Sequence, residues 1–170
     1  MNPLLPPIGA EIPCSVLAVG AFVEYDGAIL PLDFKGGIKY RVEADPTDPF
    51  NSVRLRTVGF MVSAQGSNGM TFDIEQNDVA DSSGRLTVVQ PAPLKLKHRD
   101  VLSFTLTIQK SGAQAVVLTT RAPMVQLSTL TQFPPKGDTY TLESVVELIN
   151  LENSNMRARL AVFDSKRSAL

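Results

Sequence analysis

Apolar and polar residues alternate along most of this chain. Ile38, Tyr40 and Val42 alternate with Lys39, Arg41 and Glu43, and Met70, Phe72 and Ile74 with Thr71, Asp73 and Glu75. Leu102, Phe104, Leu106 and Ile108 alternate with Ser103, Thr105, Thr107 and Gln109. A period of two places an apolar row on one face and a polar row on the other, the pattern of a half-buried strand. Shorter stretches repeat it: Leu86 with Val88, Leu94 with Leu96, Ala115 to Thr120, and Met156 to Val162. Val53 and Leu55 share one phase while Val58, Phe60 and Val62 follow in the other. That slip predicts one strand with a bulge between Arg56 and Gly59.

Residues Thr141 to Leu151 read two ways. Leu142, Val145, Val146 and Ile149 fall at helical spacing, with Ser144 and Glu147 set for a capping box. The β-branched content and the lack of a helix stop favour a strand with Val146 and Leu148 inward and Glu147 outward.

Turn chemistry punctuates the runs. Tyr25-Asp26-Gly27 and Ser67-Asn68-Gly69 have the composition of hairpin turns. Asp45 to Pro49 is a proline-framed loop, and Asp81 to Gly84, Lys110 to Gly112 and Phe133 to Asp138 are further turns. Prolines at positions 3, 6, 7 and 13 make residues 1–13 an extended arm, leaving 14–170 as one all-β domain. The expected architecture is a single-domain antiparallel β-sandwich of Greek-key or jelly-roll type, with a closed β-barrel as the alternative. The last residues, Lys166 to Leu170, read as a frayed and solvated end.

Composition changes this picture little but narrows the function. At 170 residues, 44% apolar and 19% charged, the chain is long enough for an ordinary core without disulfides or metal. Sixteen Lys plus Arg against seventeen Asp plus Glu give a formal charge of −1, with aromatics at 6% and no tryptophan. Neither nucleic-acid nor membrane binding is expected from that balance. One cysteine, Cys14, excludes an intramolecular disulfide. With no basic leader ahead of Pro3, this points to a reducing, cytoplasmic setting.

Candidate chemistry is sparse. His98, the only histidine, continues the apolar phase of Leu94 and Leu96. It is either a tuned base with Asp100 or another acid beside it, or a hydrogen-bonded residue at the rim of the core. Cys14 would need an imidazole and an electropositive setting to act as a nucleophile, and reads better as a buried, inert thiol. Asp73, Glu75, Asp78 and Asp81 form the densest acidic stretch, but their spacing is not that of a calcium loop. Lys95, Lys97 and Arg99, with Arg54 and Arg56, read as an exposed basic strand face. No dinucleotide fingerprint or phosphate loop occurs. No residue is therefore assigned to catalysis or metal binding, and no cofactor is expected.

Two functions fit such a sequence. One is a non-catalytic sandwich module that binds a protein partner or assembles with itself, through a sheet edge or through the Asp45–Asn51 and Phe133–Gly137 loops, each of which carries a phenylalanine. The alternative is a small β-barrel that holds an apolar small molecule, as a carrier or as an enzyme of cyclase or isomerase type that works by shape.

Overall fold

The computed structural model describes residues 2–170; Met1, the first residue of the expected arm, lies outside them. Thirteen strands follow in chain order: β1 (Glu11–Tyr25), β2 (Ala28–Ala44), β3 (Ser52–Gln65), β4 (Thr71–Gln76), β5 (Ser83–Pro91), β6 (Leu94–Leu102), β7 (Phe104–Gln109), β8 (Val116–Thr120), β9 (Met124–Leu130), β10 (Lys136–Leu142), β11 (Val146–Ile149), β12 (Ala158–Val162) and β13 (Ser165–Ala169). A 3-10 turn at Ser67–Gly69 is the only helical element among the described residues. The all-β, antiparallel fold expected from the alternation is the fold that forms.

The strands make one continuous sheet, and it is not a single regular barrel. The long strands β1, β2 and β3 each serve two neighbourhoods. The first part of β1, Cys14–Leu17, pairs with β13, and its last part, Phe22–Tyr25, pairs with β12. Likewise Ser52–Arg56 of β3 pairs with β5, and Met61–Gln65 pairs with β4. Two strand circuits result. The first runs β1–β2–β3–β5–β6–β9–β10–β13 and back to β1; the second runs β1–β2–β3–β4–β7–β8–β11–β12 and back to β1. Every strand thus has two partner strands, although Ala28–Phe34 of β2 pairs with β1 alone.

Bulges reset the inward face where β1 and β3 pass between circuits. In β1 the buried set changes from Cys14, Val16 and Ala18 to Ala21 and Val23, across a register shift between Ala18 and Ala21. Gly20 supplies the positive φ of 73° that this bulge requires, and its N–H donates to Asp33 Oδ1 at 2.8 Å. In β3 the buried set changes from Val53, Leu55 and Thr57 to Phe60, Val62 and Ala64, with Val58 the extra residue. This is the bulge expected between Arg56 and Gly59. Between β2 and β3 the backbones approach so closely at Gly36 that a Cβ there would lie 1.9 Å from the Met61 carbonyl oxygen.

Other elements depart from the sequence reading. The alternation from Leu102 to Ile108 is preserved, yet the strand breaks at Ser103. β6 belongs to the first circuit and β7 to the second, so the hydrogen-bonding partners change while the inward face does not. The 141–151 stretch contains β11 with Val146 and Leu148 buried and Glu147 exposed, as the strand reading requires. Lys136–Asp138, expected as turn, opens β10. The C-terminal residues expected to be frayed form β13, hydrogen-bonded between β1 and β10. Near the other terminus, Gly9 and Ala10 exchange backbone hydrogen bonds with Val42, and Leu5 is buried against the first circuit.

Candidate functional site

The two circuits differ in what they bury. Strands that belong only to the second circuit bury Phe72, Ile74, Phe104, Leu106, Leu118 and Leu160, with Thr120 the one buried polar side chain. Strands that belong only to the first bury His98, Asp100, Gln126, Ser128, Ser165 and Arg167 among their leucines. Apolar filling is the less costly way to close a small strand circuit, since a buried ion pair loses the hydration of both partners. The same chain uses that solution in one circuit and departs from it in the other.

Arg167, on β13, is the hub of the polar set. It is fully buried. Its Nη1 donates to the Tyr40 hydroxyl and to Asp100 Oδ2, and its Nη2 donates to Gln126 Oε1. The guanidinium lies 4.0 Å from the centre of the Tyr140 ring. His98 and Asp100 sit two residues apart on β6, so both point inward, with Ser128 and Gln126 of β9 directly opposite. Tyr40 comes from β2, and its hydroxyl donates to Asp100 Oδ2 at 3.3 Å. Gln126 Nε2 donates to the Phe163 carbonyl at 2.7 Å, which holds its amide oxygen toward Arg167.

Tyr140 of β10 completes the set, with its hydroxyl 2.6 Å from His98 Nδ1. The other imidazole nitrogen, Nε2, lies 4.0 Å from Asp100 Oδ1. A carboxylate on that side favours the tautomer with hydrogen on Nε2, so the Tyr140 hydroxyl donates to Nδ1. Phe133, half-buried in the loop before β10, covers the cluster. Its ring centre is 5.8 Å from that of His98 and 6.0 Å from that of Tyr40.

The electrostatics follow from burial and one strong charge pair. Burial brings the His98 imidazole down to about 4, with Asp100 pulling the other way and Arg167 adding to the fall. It is neutral at pH 7. Burial raises Asp100, but Arg167 and His98 outweigh it and hold the carboxyl below its ordinary range. Burial keeps both phenols, Tyr40 and Tyr140, protonated well above their usual range. The Cys14 thiol is pushed up to about 11, chiefly by burial, so it remains a thiol. One guanidinium and one carboxylate leave the cluster without net charge.

Three polar atoms of this cluster are buried without a hydrogen-bond partner: His98 Nε2, Asp100 Oδ1 and Arg167 Nε. Two are donors and one is an acceptor. The arrangement can hold a neutral oxygen group by hydrogen bonds; a base with a pKa near 4 takes up little proton at pH 7.

The other sequence candidates lie elsewhere. Lys95, Lys97 and Arg99 are exposed on the outer face of β6, as expected, and Arg99 reaches Glu143 at 3.6 Å. Arg56 pairs with Glu43 at 3.2 Å and with Asp81 at 3.6 Å. Asp73 and Glu75 lie on β4, and among the described residues no three His, Cys, Asp or Glu side chains converge as a metal ion would require. Of the two loop phenylalanines, Phe133 packs on the cluster, whereas Phe50 is 62% exposed. Sequence reasoning picked out His98 and Asp100 and placed Tyr40 on an inward face. It missed Arg167, Gln126 and Tyr140. The available signal for Arg167 was the phase of Ser165, Arg167 and Ala169, a period of two carried by small and basic residues.

No family model matches the chain, and no curated protein matches it. A solved structure does: that of DynF from the dynemicin biosynthesis pathway of Micromonospora chersina, with a TM-score of 0.80 over 98% of this chain and 83% of that one. The likeness is one of fold. At 13% identity it does not carry site residues from one protein to the other.

Proposed function

We propose that this protein binds a small, largely apolar and uncharged molecule in its first strand circuit, with one oxygen of that molecule seated between His98 Nε2 and Asp100 Oδ1. The observation that carries this reading is the 4.0 Å separation of those two unpartnered, buried atoms. It is too long for a direct hydrogen bond. Two bonds of about 2.8 Å that meet near a right angle at one bridging oxygen span about 4 Å. A hydroxyl or enol suits the pair, because it accepts from Nε2–H and donates to the carboxylate. A carboxylate ligand does not suit it, since the positive charge of Arg167 is already matched by Asp100.

The fold likeness to a protein from a biosynthesis pathway is compatible with a small-molecule ligand. The assembly reading draws on the exposed Phe50 in the proline-framed loop and on one open ladder, Ala28–Phe34 of β2, which pairs with β1 alone. Neither observation involves the unpartnered atoms of the buried cluster.

As the only histidine, His98 gives a single set of imidazole nitrogen NMR signals. Titration with 2-naphthol is expected to move the Nε2 signal to saturation, faster in Phe133→Ala than in the wild type. 2-Naphthoate is expected to leave it unmoved. An Nε2 signal indifferent to naphthol in both proteins, or one that responds equally to naphthoate, would overturn the reading.

A further inference from the structure

The second circuit carries an open cleft of about 790 Å³ at the β1–β2 turn, a volume that suits a small molecule. Buried Leu148 and Ala158 line it, together with half-buried Met156 and the more open Ile149 and Ile29, the last 64% exposed. An isoleucine this open beside apolar neighbours provides a surface that water solvates poorly.

Five charged side chains share the cleft: Glu24, Glu147, Arg121, Arg157 and Arg159. Arg159 takes both carboxylates, hydrogen-bonded to Glu24 and 3.8 Å from Glu147. Among the described residues neither Arg121 nor Arg157 makes an ion pair, and their backbones are nevertheless tied down. The Arg121 N–H donates to the Glu147 carbonyl, and the Arg157 carbonyl accepts from the Asp26 N–H, each at 2.9 Å. The cleft therefore holds one positive charge in excess, with two unpaired guanidiniums carried on residues whose backbones are hydrogen-bonded to the elements around it. Guanidinium matches a carboxylate in shape and hydrogen bonding, and the apolar residues suit a hydrocarbon body beside it.

We propose that this cleft is a second ligand site, independent of the first circuit, for a small organic carboxylate. Arg121 and Arg157 take the carboxylate, and the apolar body lies on Ile29, Ile149 and Met156. Arg159 keeps Glu24 and Glu147 from repelling it.

Calorimetric titration with 2-naphthoate tests the site. The wild type is expected to bind it, and Arg121→Gln and Arg157→Gln each to weaken binding about tenfold, as loss of one charge-assisted partner implies. Both side chains are exposed, so the variants are expected to keep the thermal midpoint of the wild type. Rising salt should weaken the complex, and neutral 2-naphthamide should bind at least about tenfold less tightly. Naphthamide binding as tightly as naphthoate would overturn the proposal, as would arginine variants with wild-type affinity. Inorganic phosphate competing as strongly as naphthoate would also overturn it, since the apolar wall would then contribute nothing. Because naphthoate is read here by heat and naphthol at His98 by NMR, either site can fail without the other.

Discussion

Arg167 concentrates the energetics of the buried cluster. Its charge has left water entirely and is compensated by Asp100, Tyr40, Gln126 and the face of Tyr140. Arg167→Met removes the countercharge and leaves Asp100 ionised in the core. Chemical denaturation is expected to register a loss of about 3–5 kcal/mol, the usual effect of breaking a buried pair. Combining it with Asp100→Leu removes both charges and should recover most of that loss, since apolar replacement of a buried pair is often neutral or stabilising. A single-variant loss below about 1 kcal/mol would contradict the account, because surface-like substitutions fall in that range. Half of this cluster was legible in the sequence. His98, Asp100 and Tyr40 each fall on the inward phase of a clearly alternating strand. Arg167 does not announce itself, because arginine is ordinarily an exposed residue and its neighbours Lys166 and Ser168 are polar too. Only the tertiary pairing of β13 with β1 and β10 turns it inward.

At the level of elements, the shared strands β1–β3 decide the architecture, and their close approach at Gly36 is the most demanding contact. A methyl group there would meet the Met61 carbonyl, and backbone cannot rotate away as a side chain can. Gly36→Ala is therefore expected to lower stability by about 2–3 kcal/mol, an overpacking effect. Gly59→Ala serves as the comparison, because its new methyl would meet nothing closer than Lys39 Cβ at 3.8 Å. It should stay within about 1 kcal/mol of the wild type in the same denaturation experiment. Equal effects from the two would contradict the close approach of β2 and β3. The sequence carried the clear alternations and the Val58 bulge, since both arise from local side-chain phase. It did not carry β10, which begins within turn-forming residues, or the break at Ser103. That break changes hydrogen-bonding partners without changing which face points inward, so periodicity has nothing to register.

For the whole molecule, closure is the organising fact. Two circuits share three strands, one filled with apolar side chains and the other built around a neutral polar cluster. One ladder stays open to another chain, at Ala28–Phe34 of β2, which pairs with β1 alone, and the proposed ligand site is instead the interior of the first circuit. That claim meets its most direct test in native mass spectrometry of protein purified from its source organism, alongside Arg167→Met/Asp100→Leu. The account predicts a small added mass on the wild type, released by gentle activation as an uncharged compound with at least one oxygen, and absent from the double variant. Bare wild-type protein in a higher-order assembly, or an uncharged added mass retained by the double variant, would contradict it.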